Sequence, residues 1–166
     1  MSEFTDACQR TSFHVVLYQP EIPQNTGTIG RTCVAVGAKL WLVRPLGFHL
    51  DDRHLRRAGL DYWKHLDWEA AESWAELKER LNGRRFWYFT KWARKPVWDA
   101  DFRLNDVLVF GPETRGLPQS ILEEAPERNL WLPMYPEARS LNLANAVAAA
   151  VYEALRQVGG LPERET

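Results

Sequence analysis

Five short runs limit the possible folds of this chain most tightly: Phe13–Tyr18 (FHVVLY), Lys39–Val43 (KLWLV), Arg85–Phe89 (RFWYF), Asp106–Phe110 (DVLVF) and Asn129–Leu132 (NLWL). Each is apolar on consecutive positions rather than alternate ones. A strand with one wet face alternates, whereas a strand apolar on both faces must be covered on both sides. The intervals supply the covers. Asn25 is a candidate cap for a helix over TGTIGRTCVAVG, with Gly37 as its stop. Asp51–Gly59 (DDRHLRRAG) reads as a short helix. Trp68–Leu81 reads as an amphipathic helix capped by Asp67 and ended by Asn82-Gly83. Pro118 opens SILEEA, and Asn142–Val158 is the last and longest helix. Strands alternating with helices predict an α/β domain, a parallel sheet covered by helices on both faces. The expected boundaries are a leader over 1–12, one domain over 13–160 and a tail over 161–166.

Composition narrows the function. Hydrophobic residues make up 45% and charged residues 26%, which suits a globular core. Twenty-one basic residues against 22 acidic ones give a net charge of −1, so any nucleic-acid binding must rest on a local patch. No apolar run reaches membrane length, and MSEFTDACQR lacks a signal-peptide pattern, so a cytoplasmic protein is expected. Cys8 in a polar leader and Cys33 in a helical pattern are not expected to bridge. No Cys and His cluster at ligand spacing, so no metal is expected. G-x-G-x-x-G, P-loop and G-x-S-x-G patterns are all missing from the sequence. Eight Trp are many for this length, and several lie among basic residues, as in FWYFTKWARKPVW. Packing is the more general use of such residues; stacking on RNA bases is the alternative.

The last helix carries two apolar stripes. Leu143, Val147, Val151 and Leu155 form one; Ala144, Ala148 and Tyr152 form another beside it. A helix apolar around most of its girth is buried on more than one side. The second side faces either the rest of the monomer, with the helix wedged inside it, or a second copy of the chain; the homodimer interface is the expectation taken.

Three segments hold residues that make poor core and good sites. In NTGTIGR, Arg31 is either a phosphate clamp or a surface ion-pair partner. FGPETRGLP follows a strand directly; ligands of open α/β sheets bind there, and Gly111 and Gly116 let backbone approach closely. Glu113 is its single carboxylate, suited to face a cation. In PMYPEARSLNLAN, Ser140, Asn142 and Asn145 cluster where the last helix begins, as caps or as site residues.

In this order and spacing, LYQPEIPQNTGTIGRTC, LGFHLDDRHLRRAGLDYW, FGPETRGLP and PMYPEARSLNLANAVAAAVYEALRQ resemble the motifs of the SPOUT RNA 2′-O-methyltransferases. The likeness runs from Phe13 to about Gly160. Within that class it is greatest to the tRNA (cytidine/uridine) 2′-O-methyltransferases, the shortest members. The resemblance implies a sheet whose C-terminal part is threaded into a trefoil knot, and S-adenosylmethionine as cofactor. It implies methylation of the wobble ribose, position 34, of tRNA. Arg31, Asn25, Glu113, Ser140 and Asn142 take the catalytic positions. Phe89, Thr90, Gly111, Glu113, Gly116, Leu132, Ser140, Leu141 and Asn145 take the cofactor positions. Arg53, Arg56, Arg57, Lys91 and Arg94, with His54, Arg84, Arg85 and Lys95 nearby, form a candidate RNA patch. Ala144, Ala148 and Tyr152 fall at the dimer interface. One stretch departs from the family: TKWARKPVW stands where a Gly-containing turn is usual, and Trp92 replaces a small residue near the expected cofactor entrance.

Overall fold

The computed structural model describes residues 11–51, 53, 57 and 62–160. Seven strands form one sheet: β1 (His14–Tyr18), β2 (Lys39–Val43), β3 (Trp68–Ala71), β4 (Phe86–Phe89), β5 (Lys95–Pro96), β6 (Val107–Phe110) and β7 (Asn129–Trp131). Their order is β3-β2-β1-β6-β4-β7-β5, and every pairing is parallel. The α-helices whose two ends lie among the described residues are α1 (Pro23–Val36), α2 (Trp74–Arg80), α3 (Gln119–Leu122) and α4 (Leu143–Val158); Arg53, Arg57, Tyr62 and Trp63 are also helical, and the rest of the helix expected over 51–59 lies outside the described residues.

The doubly apolar runs divide residue by residue between two cores. Val15, Leu17, Leu40, Leu42, Leu108 and Phe110 point to the side where α1 and α4 contribute Ile29, Cys33, Val147 and Val151. The alternate residues Val16, Trp41, Val43, Val107 and Val109 meet Leu77 of α2 and Ile121 of α3 on the other side. This is the period-2 alternation of strand side chains with both faces dry. The α/β architecture expected from the sequence is therefore the observed one.

Three local readings differ. Trp68–Ala71 is an edge strand, not the first turn of a helix, because it pairs in register with Leu40–Val43. The helix starts later, at Trp74, where Ser73 Oγ accepts the Glu76 N–H at 3.1 Å and the Glu76 carboxylate accepts the Glu72 N–H at 2.9 Å. That reciprocal cap is a stronger start signal than Asp67. On the new edge strand, Glu69 is paired with Lys39 at 2.6 Å and with Arg80, which keeps the sheet edge charged. Second, α1 begins at Pro23 with Ile22 as its cap, so Asn25 lies inside the helix and buried. Proline suits a first turn, where its missing N–H would have no helical partner. Asn25 is thereby released from capping. Third, the two-residue strand β5 has no sequence signal of its own; it exists through its pairing with β7.

Helix α4 is capped as expected: Asn142 Oδ1 accepts from the N–H groups of Ala144 at 2.9 Å and Asn145 at 3.2 Å. The stripe Leu143, Val147, Val151 and Leu155 packs in the core as expected; the second stripe needs correction. Ala144 is only 5% exposed and packs in the chain's own core, together with Val147, Ala150, Val151, Ala154 and Leu155. Ala144 is thus unavailable to a partner. Ala148 is half-buried, and Tyr152 is 49% exposed. The outward stripe is Asn145, Ala149, Tyr152 and Arg156, each three or four residues from the next.

Arg85 also leaves its expected role. It forms two hydrogen bonds to Asp106, at 2.9 and 2.7 Å, and Asp106 further accepts from Trp87 Nε1 at 2.8 Å and the Arg103 N–H at 2.9 Å. Asp106 is buried, and a buried carboxylate needs such partners. The guanidinium is therefore structural rather than free for RNA. Lys95 lies over the Trp87 ring at 5.4 Å. Cys33 is buried, and burial pushes its thiol up to about 12, so it is an inert core residue. Cys8 lies outside the described residues.

His14 predicts a pH effect on stability. It is buried at the start of β1, its Nδ1 accepts from Trp41 Nε1 at 3.0 Å, and its Nε2 has no partner among the described residues. Burial, helped by the charges of Arg84 and Lys39, lowers its pKa from 6.5 to about 4. Above pH 6.5 the imidazole is neutral in both folded and unfolded chains. Between 6.5 and 4 the unfolded chain takes up the proton first, so stability falls as pH falls. By pH 5 the loss is about 2 kcal/mol. Urea unfolding of wild type and His14→Gln at pH 7.5 and pH 5 measures it. The variant should lose less stability over that interval; equal losses would assign the acid sensitivity to other groups.

Candidate active site

The carboxyl ends of β1, β6, β4 and β7 open into a cleft of about 420 Å³. Ligands of open parallel sheets collect at that end because the loops leaving the strands converge there. One wall is apolar: Phe89 and Phe110 stack at 4.5 Å between ring centroids, joined by Leu132 and Leu143. The lining also carries polar groups, Thr90, Glu113, Ser140 and Asn142.

A chain of hydrogen bonds ties the three site segments together. Asn142 Nδ2 donates to Asn25 Oδ1 at 3.0 Å, and Asn25 Nδ2 donates to Glu113 Oε1 at 3.2 Å. Glu113 also accepts the backbone N–H of Glu21 at 2.8 Å and of Ile22 at 3.1 Å. The clasp is returned: the Glu21 carboxylate accepts the Thr114 N–H at 3.1 Å and its Oγ1–H at 2.8 Å. Glu113 occupies the N-terminus of α1, where a carboxylate is favoured by unpaired N–H groups and by the helix dipole. Its role here is to lock two loops together rather than to face a free cation.

Backbone packing reinforces the lock. A Cβ on Gly111 would collide with the backbone of Gly116 and Leu117, so the 111–117 loop folds back on itself only with glycine at that position. Gly116 has φ +68°, the left-handed region. In the last segment Arg139 has φ +60°, directly before Ser140. A non-glycine residue there is uncommon and concentrates at functional loops.

Eight of the nine cofactor positions expected from the sequence line this one cleft: Phe89, Thr90, Gly111, Glu113, Gly116, Leu132, Ser140 and Leu141. Asn145 does not; its side chain is on the outward stripe of α4. Asn25 and Asn142 line the cleft, but Arg31 does not. Six residues separate Arg31 from Asn25, which places the two on different sides of α1 and about 9 Å apart along it. Arg31 belongs to the exposed stripe with Gln24 and Thr28. Its guanidinium lies 4.6 Å from the centroid of the Tyr62 ring and donates to the Tyr62 hydroxyl at 3.3 Å. Neither the phosphate clamp nor the ion pair read from sequence includes this aromatic partner.

The basic patch is split. Lys91 lines the cleft and Arg94 is exposed nearby in sequence, both beyond the carboxyl end of β4. Arg84 and Arg85 precede its amino end, about 13 Å away along the strand. Arg53 and Arg57 are exposed; His54 and Arg56 lie outside the described residues. Sequence reasoning misses Glu21, Thr114 and Tyr62. An acid and a hydroxyl 93 positions apart give no local signal, whereas Tyr62 stands inside LGFHLDDRHLRRAGLDYW with no role of its own. Among the described residues no group of His, Cys, Asp and Glu is placed to hold a metal ion.

The SpoU rRNA methylase family matches residues 12–152. The chain belongs to that family. A tRNA (cytidine(34)-2′-O)-methyltransferase of Methylovorus glucosotrophus is 49% identical over 146 residues, covering 87% of this chain and 95% of that protein. The enzyme of the same description from Escherichia coli is 44% identical over 147 residues, covering 88% and 94%. A structure solved to study 2-OH methylation of C/U34 on tRNA superposes with TM-score 0.85 at 49% identity, covering 90% of this chain and 97% of its own. The SpoU methyltransferase AviRb from Streptomyces viridochromogenes, in complex with AdoMet, has TM-score 0.78 at 29% identity; the match covers 89% of this chain and 58% of that one. In this SpoU-family chain, eight of the nine positions marked for cofactor line one strand-end cleft, and Asn145 lies outside it.

Proposed function

We propose that this protein transfers a methyl group from S-adenosylmethionine to the ribose 2′-hydroxyl of the wobble nucleotide, position 34, of tRNA, a cytidine or modified uridine. The observation that carries the reading is the Asn142–Asn25–Glu113 chain, which closes three separate segments around a cleft of cofactor size. The relatives named above, matched over nearly their whole length, support the tRNA substrate. The cleft fits the cofactor's chemistry, with an aromatic and aliphatic wall for an adenine and polar groups at Thr90, Ser140 and Asn142 for its charged end.

When bound, S-adenosylmethionine supplies a methyl group already activated on a sulfonium. The protein has to place the hydroxyl in line and ease the loss of its proton. A guanidinium is a poor base, so Arg31 holds the neighbouring phosphate and orients the ribose, and a substrate phosphate accepts the proton. The reading also takes residues 13–160 as the catalytic domain, with 1–12 and 161–166 outside it. It takes a homodimer across the outward face of α4 around Ala148 and Tyr152, a trefoil knot in the C-terminal part, and action in the cytoplasm.

The test is an in vitro methyl-transfer assay on unfractionated tRNA, with the product nucleoside mapped by mass spectrometry. A 2′-O-methylated nucleoside at position 34 is expected; label at another position or in ribosomal RNA would reassign the substrate. Binding should also be electrostatic. With Arg53, Arg57, Lys91 and Arg94 at the surface, tRNA affinity is expected to fall about tenfold or more between 50 and 200 mM salt. A flat salt response would remove the patch.

A further inference from the structure

We propose that Trp92 is a stacking platform for a nucleobase of the substrate RNA, and that Lys91 acts with it on the adjoining backbone; this rests on the RNA methyl-transfer reading above. Trp92 lines the cleft yet is 78% exposed. An indole left that open gains little from the protein's own core, while its face suits an unpaired base. The residue stands on an ordered turn: the Trp92 backbone N–H donates to Thr90 Oγ1 at 3.3 Å, and the Ala93 N–H donates to the Thr90 carbonyl at 3.3 Å. With the turn already ordered, little backbone freedom is lost when a base settles on the ring. Lys91 Nζ lies 4.9 Å from the centroid of the indole, and Arg94 is exposed two residues beyond. Stacking surface and positive charge therefore adjoin at the mouth of the cleft, the combination that grips single-stranded RNA.

The geometry also separates Trp92 from the cofactor's enclosed part. Phe89 is buried at the wall, whereas Trp92 stands three residues on, past the end of β4 and outward. Its chemistry is directed to whatever enters after the cofactor.

The experiment compares wild type, Trp92→Ala and Trp92→Phe. Equilibrium binding is measured with unmodified tRNA transcript, AdoMet binding by calorimetry, and turnover at saturating AdoMet. Trp92→Ala should weaken tRNA binding and raise KM for tRNA about tenfold or more. Any loss of AdoMet affinity should be smaller than the loss of tRNA binding, and Trp92→Phe should recover most of the latter. Unchanged tRNA binding by Trp92→Ala would overturn the proposal. So would a loss confined to AdoMet affinity, which would make the indole a cofactor wall. A shift to a smaller species in sedimentation would make it an interface residue and equally overturn it. If wild type binds tRNA but methylates none, the methyl-transfer reading fails while the binding comparison still decides the role of Trp92; if wild type binds no tRNA, both fail.

Discussion

Gly111→Ala is expected to abolish useful S-adenosylmethionine binding, raising Kd about 100-fold or more. The reason is geometric. The added methyl would land on the backbone of Gly116 and Leu117, and backbone cannot rotate aside as a side chain can. The 111–117 segment would have to spread, carrying Glu113 away from the Glu21 and Ile22 N–H groups and from Asn25. One methyl would therefore disturb the cleft wall and the clasp together. A hundredfold loss corresponds to about 2.7 kcal/mol, within the usual cost of overpacking a tight site. Calorimetric titration with S-adenosylmethionine reads the loss, and a thermal scan reads the accompanying destabilisation. Gly116→Ala is the control. A Cβ there meets nothing within 4 Å, so only the left-handed backbone conformation is penalised, by about 1 kcal/mol. If Gly111→Ala bound cofactor as wild type does, this loop would not be a cofactor wall.

Arg31→Ala is expected to lower kcat about 100- to 1,000-fold while AdoMet affinity stays near the wild-type value. The separation follows from where the residue is. Arg31 does not line the cleft, so cofactor binding has no contact to lose. Its guanidinium is exposed, held against the Tyr62 ring, and positioned by the same helix that delivers Asn25 to the cleft. A guanidinium that holds the substrate phosphate and so orients the ribose is expected to contribute at the level of a lost transition-state donor. Arg31→Lys should recover little, because an ammonium offers neither the planar fork for phosphate nor the same stacking on tyrosine. Single-turnover assays at saturating tRNA separate this from weaker RNA binding. Turnover retained within a few-fold of wild type would sink the proposed role.

Much of the site is legible in the amino-acid order alone. Gly111, Glu113 and Gly116 follow an apolar strand directly, and in a parallel sheet that position is a ligand position. Ser140 and Leu141 stand just before a helix whose cap, Asn142, is readable from residue type. The strand runs are equally plain, because burial on both faces leaves a continuous apolar signature. Less visible are features set by competition between elements. Asn25 has the residue type of a cap, but Pro23 and Ile22 take the helix start and free it for Glu113. Trp68–Ala71 continues a helical pattern, but pairing with β2 wins. Arg85 has the chemistry of an RNA ligand, but Asp106 claims it.

The sequence by itself determined the layered α/β class, the five central strands, the family and many of the residues that line the cleft, because each depends on local pattern or on short contiguous motifs. Tertiary structure decided what those residues do for one another. Glu113 became a clasp rather than a counter-charge because it meets Glu21, 92 positions earlier in the chain. Arg31 was set outside the cleft because six residues of helix turn it away from Asn25. Ala144 was taken into the monomer's own core because α4 packs on α1 and β6. Pattern along a chain records which residues are apolar, charged or conformationally special. Only the fold fixes which distant group satisfies each hydrogen bond and each charge.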